Sequence, residues 1–210
     1  MLETLAPLIV VLGTATPGGG FPVYGAAVAE TINAIDPSLA IQPRNTKGST
    51  ENVPLLAAGQ LDLALVQGEV VHEALTGVGR PLANLKILAA MYSTPGMFVV
   101  RADSPYRAIT DLRGKPVAFG ARGSGLVILA RYVLDGLGLD QERDFQAVYL
   151  DRAGDGPAMV LDGRVAALWG AARAGRASPR WPRTGRGRAS SRPAPTRSRV
   201  SSRSTRSSGG

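Results

Sequence analysis

Two glycine-rich stretches carry residue types that are suited to holding an anion. Gly13–Gly20 contains Thr14 and Thr16, and Gly120–Gly125 contains Ser124. Glycine lets the backbone approach a ligand closely, and the hydroxyl groups add hydrogen-bond donors. A helix that starts after such a loop presents free N–H groups and the positive end of its dipole. The pattern indicates an anion site; tight turns with helix caps are the alternative interpretation of each loop.

These loops match no nucleotide-binding or hydrolase motif. Neither has the spacing of a phosphate-binding loop, and the first also lacks the dinucleotide fingerprint. Ser124 is not in a nucleophile elbow, because Arg122 stands where that motif requires glycine. His72 is the only histidine, cysteine is absent, and the segment around His72 has no metal-ligand spacing. We therefore expect a protein without catalytic activity, metal or cofactor, and we interpret His72 as a surface or helix-packing residue.

Some aromatic and cationic residues near the loops have two interpretations. Aromatic side chains at the ends of strands and helices can line a pocket or pack the core, and packing is the more common role. Loop cations can meet a carboxylate, with a bidentate geometry for arginine, or remain solvated. The residues in question are Tyr24, Tyr92 and Trp169, and Arg44, Lys47 and Arg122.

The loops need a scaffold, and the sequence predicts an alternation of strands and helices. Apolar runs of strand length are found at 8–12, 39–42, 61–66, 85–91, 97–101, 117–119, 147–150 and 165–169. Helical spacing is found at 24–35, 53–58, 69–75, 126–137 and 157–161. This alternation is typical of a parallel α/β sheet covered on both faces. Because proline lacks a backbone donor, Pro54 predicts either a helix start with Asn52 as N-cap or a distorted first turn.

The last forty residues have a different composition. From Ala171 to Gly210 there are eleven Arg and nine Ser, without Lys, Asp or Glu, and only Trp181 and Val200 are larger apolar residues. Such a segment cannot build a core, so we expect it to be disordered. Arginine without lysine, together with Ala, Gly, Pro and Ser, is what GC-rich DNA encodes when it is read out of frame. We interpret the segment as a frameshifted or otherwise aberrant end, with a genuine cationic tail as the alternative.

The net charge of +8 comes from this segment. Without its eleven arginines, 13 of the 24 basic residues remain against 16 acidic ones. A basic chain usually suggests a polyanionic partner, but here the inference applies to the arginine-rich end alone. A basic-tailed nucleic-acid-binding protein is therefore the alternative function, and we expect no sequence-specific nucleic-acid binding.

The N-terminal segment gives little indication of a compartment. Met1–Leu12 is largely apolar, but Glu3 and the lack of a preceding Lys or Arg make it a poor signal peptide. No apolar run in the sequence approaches the length that a membrane helix needs.

An ordered set of weak motifs carries a family resemblance. The quoted segments are Gly13–Gly20 with Tyr24 and Gly25, Gly48–Asn52 with Leu55 and Leu56, Gly59–Gln67, Asp111–Lys115 and Gly123–Gly125. In this order they resemble the TAXI family, the extracytoplasmic solute receptors of TRAP transporters. The resemblance runs from about Val10 to Trp169.

The resemblance implies a fold, a ligand and a partner. The fold is that of a type II periplasmic binding protein, in which two α/β lobes close on a small molecule. The ligand is a small carboxylate such as glutamate or a dicarboxylate, and the partner is the membrane part of a TRAP transporter. It implies a periplasmic location, and we expect a monomer. The residues expected to face the cleft are Thr14, Thr16, Gly19, Gly20, Tyr24, Ser49, Asn52, Gln67, Arg122, Ser124 and Gly125.

The sequence also departs from the family pattern. Family members normally carry a signal peptide and continue for roughly another hundred residues beyond a segment like Ala167–Gly170. We therefore expect a first lobe over 1–101, an incomplete second lobe over 102–170, and a disordered end over 171–210. Ligand capture would be impaired in such a chain.

Overall fold

The computed structural model describes residues 6–171, which form seven strands and five α-helices. The strands are β1 (Leu8–Gly13), β2 (Leu39–Arg44), β3 (Leu63–Ala64), β4 (Gly96–Val100), β5 (Pro116–Ala121), β6 (Gln146–Leu150) and β7 (Ala167–Ala171). The helices are α1 (Gly20–Ile35), α2 (Ser49–Ala57), α3 (Gly68–Thr76), α4 (Gly125–Asp135) and α5 (Gly156–Leu161). Short 3₁₀ turns cover Ile109–Leu112 and Ala153–Asp155.

The first sheet has the order β2-β1-β3 and is parallel throughout. Its central strand β1 is the continuous apolar run of the sequence, but the expected cover on both faces holds only for its second half, since Leu8 and Ile9 are exposed. Leu12 and Ile41 pack with Ala29 of α1 and with Leu65. The predicted strand–glycine loop–helix order is confirmed here.

The second sheet has the order β4-β7-β5-β6. β5 is parallel to both β6 and β7, whereas β4 runs antiparallel to β7. Its core contains Phe119 and Trp169, with the ring of Phe98 4.8 Å from that of Trp169 between centroids. The parallel prediction therefore holds except for β4, a strand that the expected boundary at residue 101 placed with the first lobe. Its partner is a strand far along the chain, which local apolar spacing does not specify.

The segment 85–91, predicted as a strand, joins neither sheet. β3 is also shorter than predicted, with ladder pairing limited to Leu63 and Ala64. A strand requires a neighbour with free backbone groups, and none of the described residues stands beside 85–91 in that way.

α2 corrects the expectation for Pro54. The helix begins at Ser49 and contains Pro54 in its interior. Its first turn is fixed by bonds from the N–H groups of Glu51 and Asn52 to the Gly48 carbonyl, at 3.0 and 2.9 Å. The Glu51 carboxylate also accepts from the N–H of Lys47 at 2.5 Å. These bonds fix the helix start well before the proline, so Asn52 is not the N-cap.

The expectations for the arginine-rich end fall on residues 172–210, outside the described residues. β7 reaches Ala171, the first residue of the segment assigned to that end. Among the described helices, none has the length and apolar character needed to span a bilayer.

Candidate functional site

The N-terminus of α4 carries a hydroxyl whose proton is available. Ser124 is the N-cap of α4, and its Oγ accepts a hydrogen bond from the N–H of Leu126 at 3.2 Å. A serine hydroxyl has one proton and two acceptor sites. Because the cap uses an acceptor site, the Ser124 proton can be donated to a ligand.

A second hydroxyl of the same kind lies at the start of α2. Ser49 is 1% exposed, and its Oγ accepts from the N–H of Gln67 at 3.0 Å. Gln67 is the N-cap of α3, and its side-chain amide donates to Thr94 Oγ1 at 2.8 Å. The starts of α2 and α3 are therefore joined through one serine.

The start of α4 meets these two helix starts. A Cβ on Gly125 would lie 2.4 Å from the Cβ of Gln67 and 2.7 Å from Ser49 Oγ, so only glycine allows this approach. The carbonyl of Gly123 accepts from the N–H and the hydroxyl of Thr50, at 3.1 and 2.6 Å. Three helix N-termini from the two sheets thus converge, and their partial positive charges favour an anion.

The first glycine loop contacts the second sheet at a different point. Gly18 has a φ of +87°, and a Cβ there would lie 2.9 Å from both the Cα and the N of Gly154. Gly19 is the N-cap of α1 and has no side-chain cap, and its own N–H donates to the Thr16 carbonyl at 3.2 Å. The loop therefore meets the β6–α5 connection backbone to backbone.

Two tyrosines stand beside this loop. The rings of Tyr24 and Tyr92 are 4.8 Å apart between centroids, with a tilt of 55°. A Cβ on Gly20 would lie 3.8 Å from the hydroxyl of Tyr92. Tyr92 thus links the first glycine loop to the segment that leads into β4.

Thr14 and Asn52 hold the ends of the first-sheet strands. Both are fully buried. The hydroxyl of Thr14 donates to the Arg44 carbonyl at 3.0 Å, and the Asn52 amide donates to the carbonyls of Thr14 and Leu65, both at 2.9 Å. Their donors are used by the backbone, so the structure gives these two residues a supporting role. Their contact with a ligand stays a prediction.

Arg122 and Trp169 make contacts within the second sheet. The guanidinium of Arg122 lies 4.5 Å from the ring centroid of Tyr149, a cation–π distance. Burial and a hydrogen bond to Glu142 raise the pKa of Tyr149 to about 12. Trp169 is a core residue, and its indole N–H donates to the Leu126 carbonyl at 2.8 Å. A role of Arg122 toward a ligand stays a prediction.

Several residues of this region were missed by sequence reasoning. Gly48, Thr94 and Gly154 all lie at contacts around the predicted residues. Of these, Gly48 alone had a signal, because it stands in a segment that carried the family resemblance. His72 is exposed on α3, as expected. No cluster of three potential metal ligands is found within residues 6–171.

The fold defines the class of protein. It is the fold of type II periplasmic binding proteins, as in the alkanesulfonate-binding protein SsuA from Xanthomonas axonopodis pv. citri bound to MOPS. That structure matches with a TM-score of 0.55 and 22% identity, over 78% of this chain and 54% of that chain. The substrate binding protein of an amino acid ABC transporter matches with 0.53 and 17%, over 79% and 70%. An ancestral arginine-binding protein bound to arginine matches with 0.51 and 16%, over 80% and 71%.

The family follows from the sequence. The model of the NMT1-like family matches residues 12–177, and the chain belongs to this family. The chain spans about half of the length of the SsuA structure.

Proposed function

We propose that this protein is a solute-binding receptor that captures a small carboxylate, glutamate-like or dicarboxylic, for uptake by a TRAP-type transporter. The convergence of the N-termini of α2, α3 and α4 around Ser49, Gln67 and Gly125 carries the proposal. Two serine hydroxyls there each accept one bond from a backbone N–H and donate none to the described residues, which suits an anionic ligand. The TAXI-like motifs support the choice of transporter and a periplasmic location.

The similar structures support a ligand with an acidic group. SsuA is bound to MOPS and the ancestral protein to arginine, one a sulfonate and the other a carboxylate. In this proposal the protein binds its solute and performs no chemistry on it, and it acts as a monomer.

We further propose that two lobes close on the ligand through the connection 92–95. The chain passes from the first sheet to the second between the end of β3 and the start of β4, and 92–95 are the last residues before β4. The contacts Thr50–Gly123 and Gly18–Gly154 each join a segment next to the first sheet to one next to the second, which supports closure of this kind.

Calorimetry on the full chain tests the proposal. Glutamate and succinate should bind, with taurine as the sulfonate probe and glucose as the neutral control. Binding of glucose in preference to the three anions would overturn it. Stronger binding of taurine than of glutamate and succinate would mean that the ligand is a sulfonate and not a carboxylate, and the anion site would be retained.

The alternative function, nucleic-acid binding, concerns residues 172–210 outside the described part. It predicts that affinity for any DNA oligonucleotide falls steeply with salt and is lost when 172–210 are deleted. Sequence-specific DNA binding by the remaining residues would contradict the receptor proposal.

A further inference from the structure

One edge of the first sheet is the outer side of β2. Within the described residues, β2 has a sheet partner on one side only, and that partner is β1. In a parallel pair, a residue bonds to the two neighbours of its register partner, and the next residue of the strand faces the other way. The N–H of Thr14 donates to the Arg44 carbonyl, so the even-numbered residues of β2 face β1. The residues that direct their backbone groups outward are therefore Leu39, Ile41 and Pro43.

Asn33, in the last turn of α1, occupies both outward backbone groups of Ile41. Its Nδ2 donates to the Ile41 carbonyl at 3.1 Å, and its Oδ1 accepts from the Ile41 N–H at 2.7 Å. Directly opposed residues of an antiparallel strand pair exchange the same two bonds. The side-chain amide of Asn33 thus takes the place that the backbone of a neighbouring strand would have.

The other two outward positions of β2 have no free donor either. The N–H of Leu39 donates to the Asp36 carbonyl at 3.1 Å, within the turn between α1 and β2. Pro43 has no N–H, which is why proline is tolerated on edge strands. A further strand would need donors as well as acceptors along the edge. None of the three outward positions of β2 offers it a donor.

We propose that Asn33 is an edge guard, which prevents two copies of this chain from pairing through their β2 strands. Ile41 is the outward residue whose N–H and carbonyl are both held by a side chain, so a single substitution can release them. Two copies related by a two-fold axis normal to the sheet would pair antiparallel, with Ile41 at the centre. The two first sheets would then become one continuous sheet.

The amide of Asn33 competes well with a second copy because it belongs to the same chain. Its two bonds cost no translational freedom, whereas association of two copies does. Asn33 is also exposed, so its replacement leaves no cavity in the core, and alanine is a better helix former than asparagine. The fold should therefore persist without the guard. Edge guarding by Asn33 does not depend on which solute the receptor binds.

Amide hydrogen exchange and sedimentation velocity on the full chain test the proposal. In the parent protein, the Ile41 amide should be protected to the same degree at every protein concentration. In Asn33→Ala we expect this amide to exchange at least about tenfold faster in dilute solution. As the concentration rises, dimers should form and the protection of Ile41 should return.

Asn33→Asp is the matched control, because it separates edge guarding from a loss of stability. The carboxylate still accepts from the Ile41 N–H but cannot donate to the Ile41 carbonyl. A negative charge near the C-terminus of α1 is also unfavourable with respect to the helix dipole, so this variant should melt at a lower temperature than Asn33→Ala. We nevertheless expect it to give no dimer through β2, because the Ile41 donor stays occupied and the edge carries a charge.

Each of the other outcomes overturns the proposal. An Ile41 amide that stays protected in dilute Asn33→Ala would mean that Asn33 does not hold this position. Fast exchange at Ile41 in a variant that remains monomeric at high concentration would mean that the released edge does not pair. Association of Asn33→Ala without renewed protection of Ile41, or equal association of Asn33→Asp, would place the contact elsewhere on the molecule.

Discussion

The carboxylate of Glu73 on α3 is hydrogen-bonded to the guanidinium of Arg131 on α4, and this bond joins the two helices. Glu73 is 1% exposed, and its other oxygen accepts from Nε and Nη2 of Arg80, at 3.0 and 2.8 Å. Ile128, one turn before Arg131, packs on the cluster of Val53 and Val70. The α3–α4 contact is thus both apolar and ionic.

Replacing Glu73 should destabilise the protein. In Glu73→Gln one carboxylate oxygen is replaced by an NH2 donor, so one of the two arginines loses its acceptor and both lose the opposing charge, and we expect the free energy of unfolding to fall by about 1–3 kcal/mol. Urea denaturation measures this. Asp103→Asn is the matched control, because the Arg101–Asp103 pair is exposed and solvent screening leaves it a small contribution to stability. An equal loss in both variants would show that the buried pair has no special role.

Gly125→Ala should separate the two sheets at the candidate site. The added Cβ would lie 2.4 Å from the Cβ of Gln67, closer than two carbon atoms approach. We expect solute binding to be lost and the melting temperature to fall. Gly68→Ala is the control, because nothing lies within 4 Å of its added Cβ. Unchanged solute affinity in Gly125→Ala would place the ligand elsewhere.

The hydroxyl of Ser124 can be tested apart from its capping role. Ser124→Ala loses both the cap and the donor, whereas glycine at an N-cap costs only a few tenths of a kcal/mol in stability. We expect Ser124→Gly to weaken carboxylate binding by about 1–3 kcal/mol in calorimetry, while the melting temperature stays close to that of the parent. Full affinity in Ser124→Gly would remove this residue from the site.

We expect the main contribution of Asn52 to be to the stability of the fold and not to ligand binding. Its amide donates to the carbonyls of Thr14 and Leu65. Asn52→Ala removes both bonds and leaves the Thr14 carbonyl only the Thr46 hydroxyl, so it should cost roughly 1–3 kcal/mol. Denaturant unfolding with and without glutamate separates the two roles. If Asn52 only supports the fold, its replacement lowers stability equally in both conditions. If it contacts the ligand, its replacement also reduces the stabilisation that glutamate gives.

Tyr149 should make stability depend on alkaline pH. Its pKa, raised to about 12 from an ordinary value of 10, means that its contribution is complete below pH 10 and is lost as the pH rises toward 12. Burial is the main cause, followed by the hydrogen bond to Glu142. Tyrosinate absorbance should show a late titration step, and Tyr149→Phe should remove it. A late step that persists in Tyr149→Phe would contradict the assignment.

The sequence predicted local features well and distant pairing poorly. The apolar run of β1 and the glycine loop before α1 are encoded in consecutive residues, and both are found in the structure. β4 belongs to the second sheet because it pairs with β7, a strand far along the chain. Whether 86–91 forms a strand depends on whether a free strand edge lies beside it. Periodicity contains neither kind of information.

The same contrast between local and distant information applies to the site residues. Ser49 and Ser124 follow glycines at helix starts, a local signal that predicts a donor position. The ionic contact between Glu73 and Arg131 joins two helices whose sequences give no sign of each other. Asn52 had a polar side chain in a loop-like segment, but its burial under Gly13 is a tertiary property.

The place of β7 between β4 and β5 has a consequence for synthesis on the ribosome. β4 emerges early and has no sheet partner until Ala167–Ala171 is translated, which takes several seconds at about 5–20 residues per second. During that interval the apolar strand Gly96–Val100 is exposed to chaperones and to other nascent chains. We therefore expect translation speed over the codons from β4 to β7 to affect how much of the protein reaches its native state.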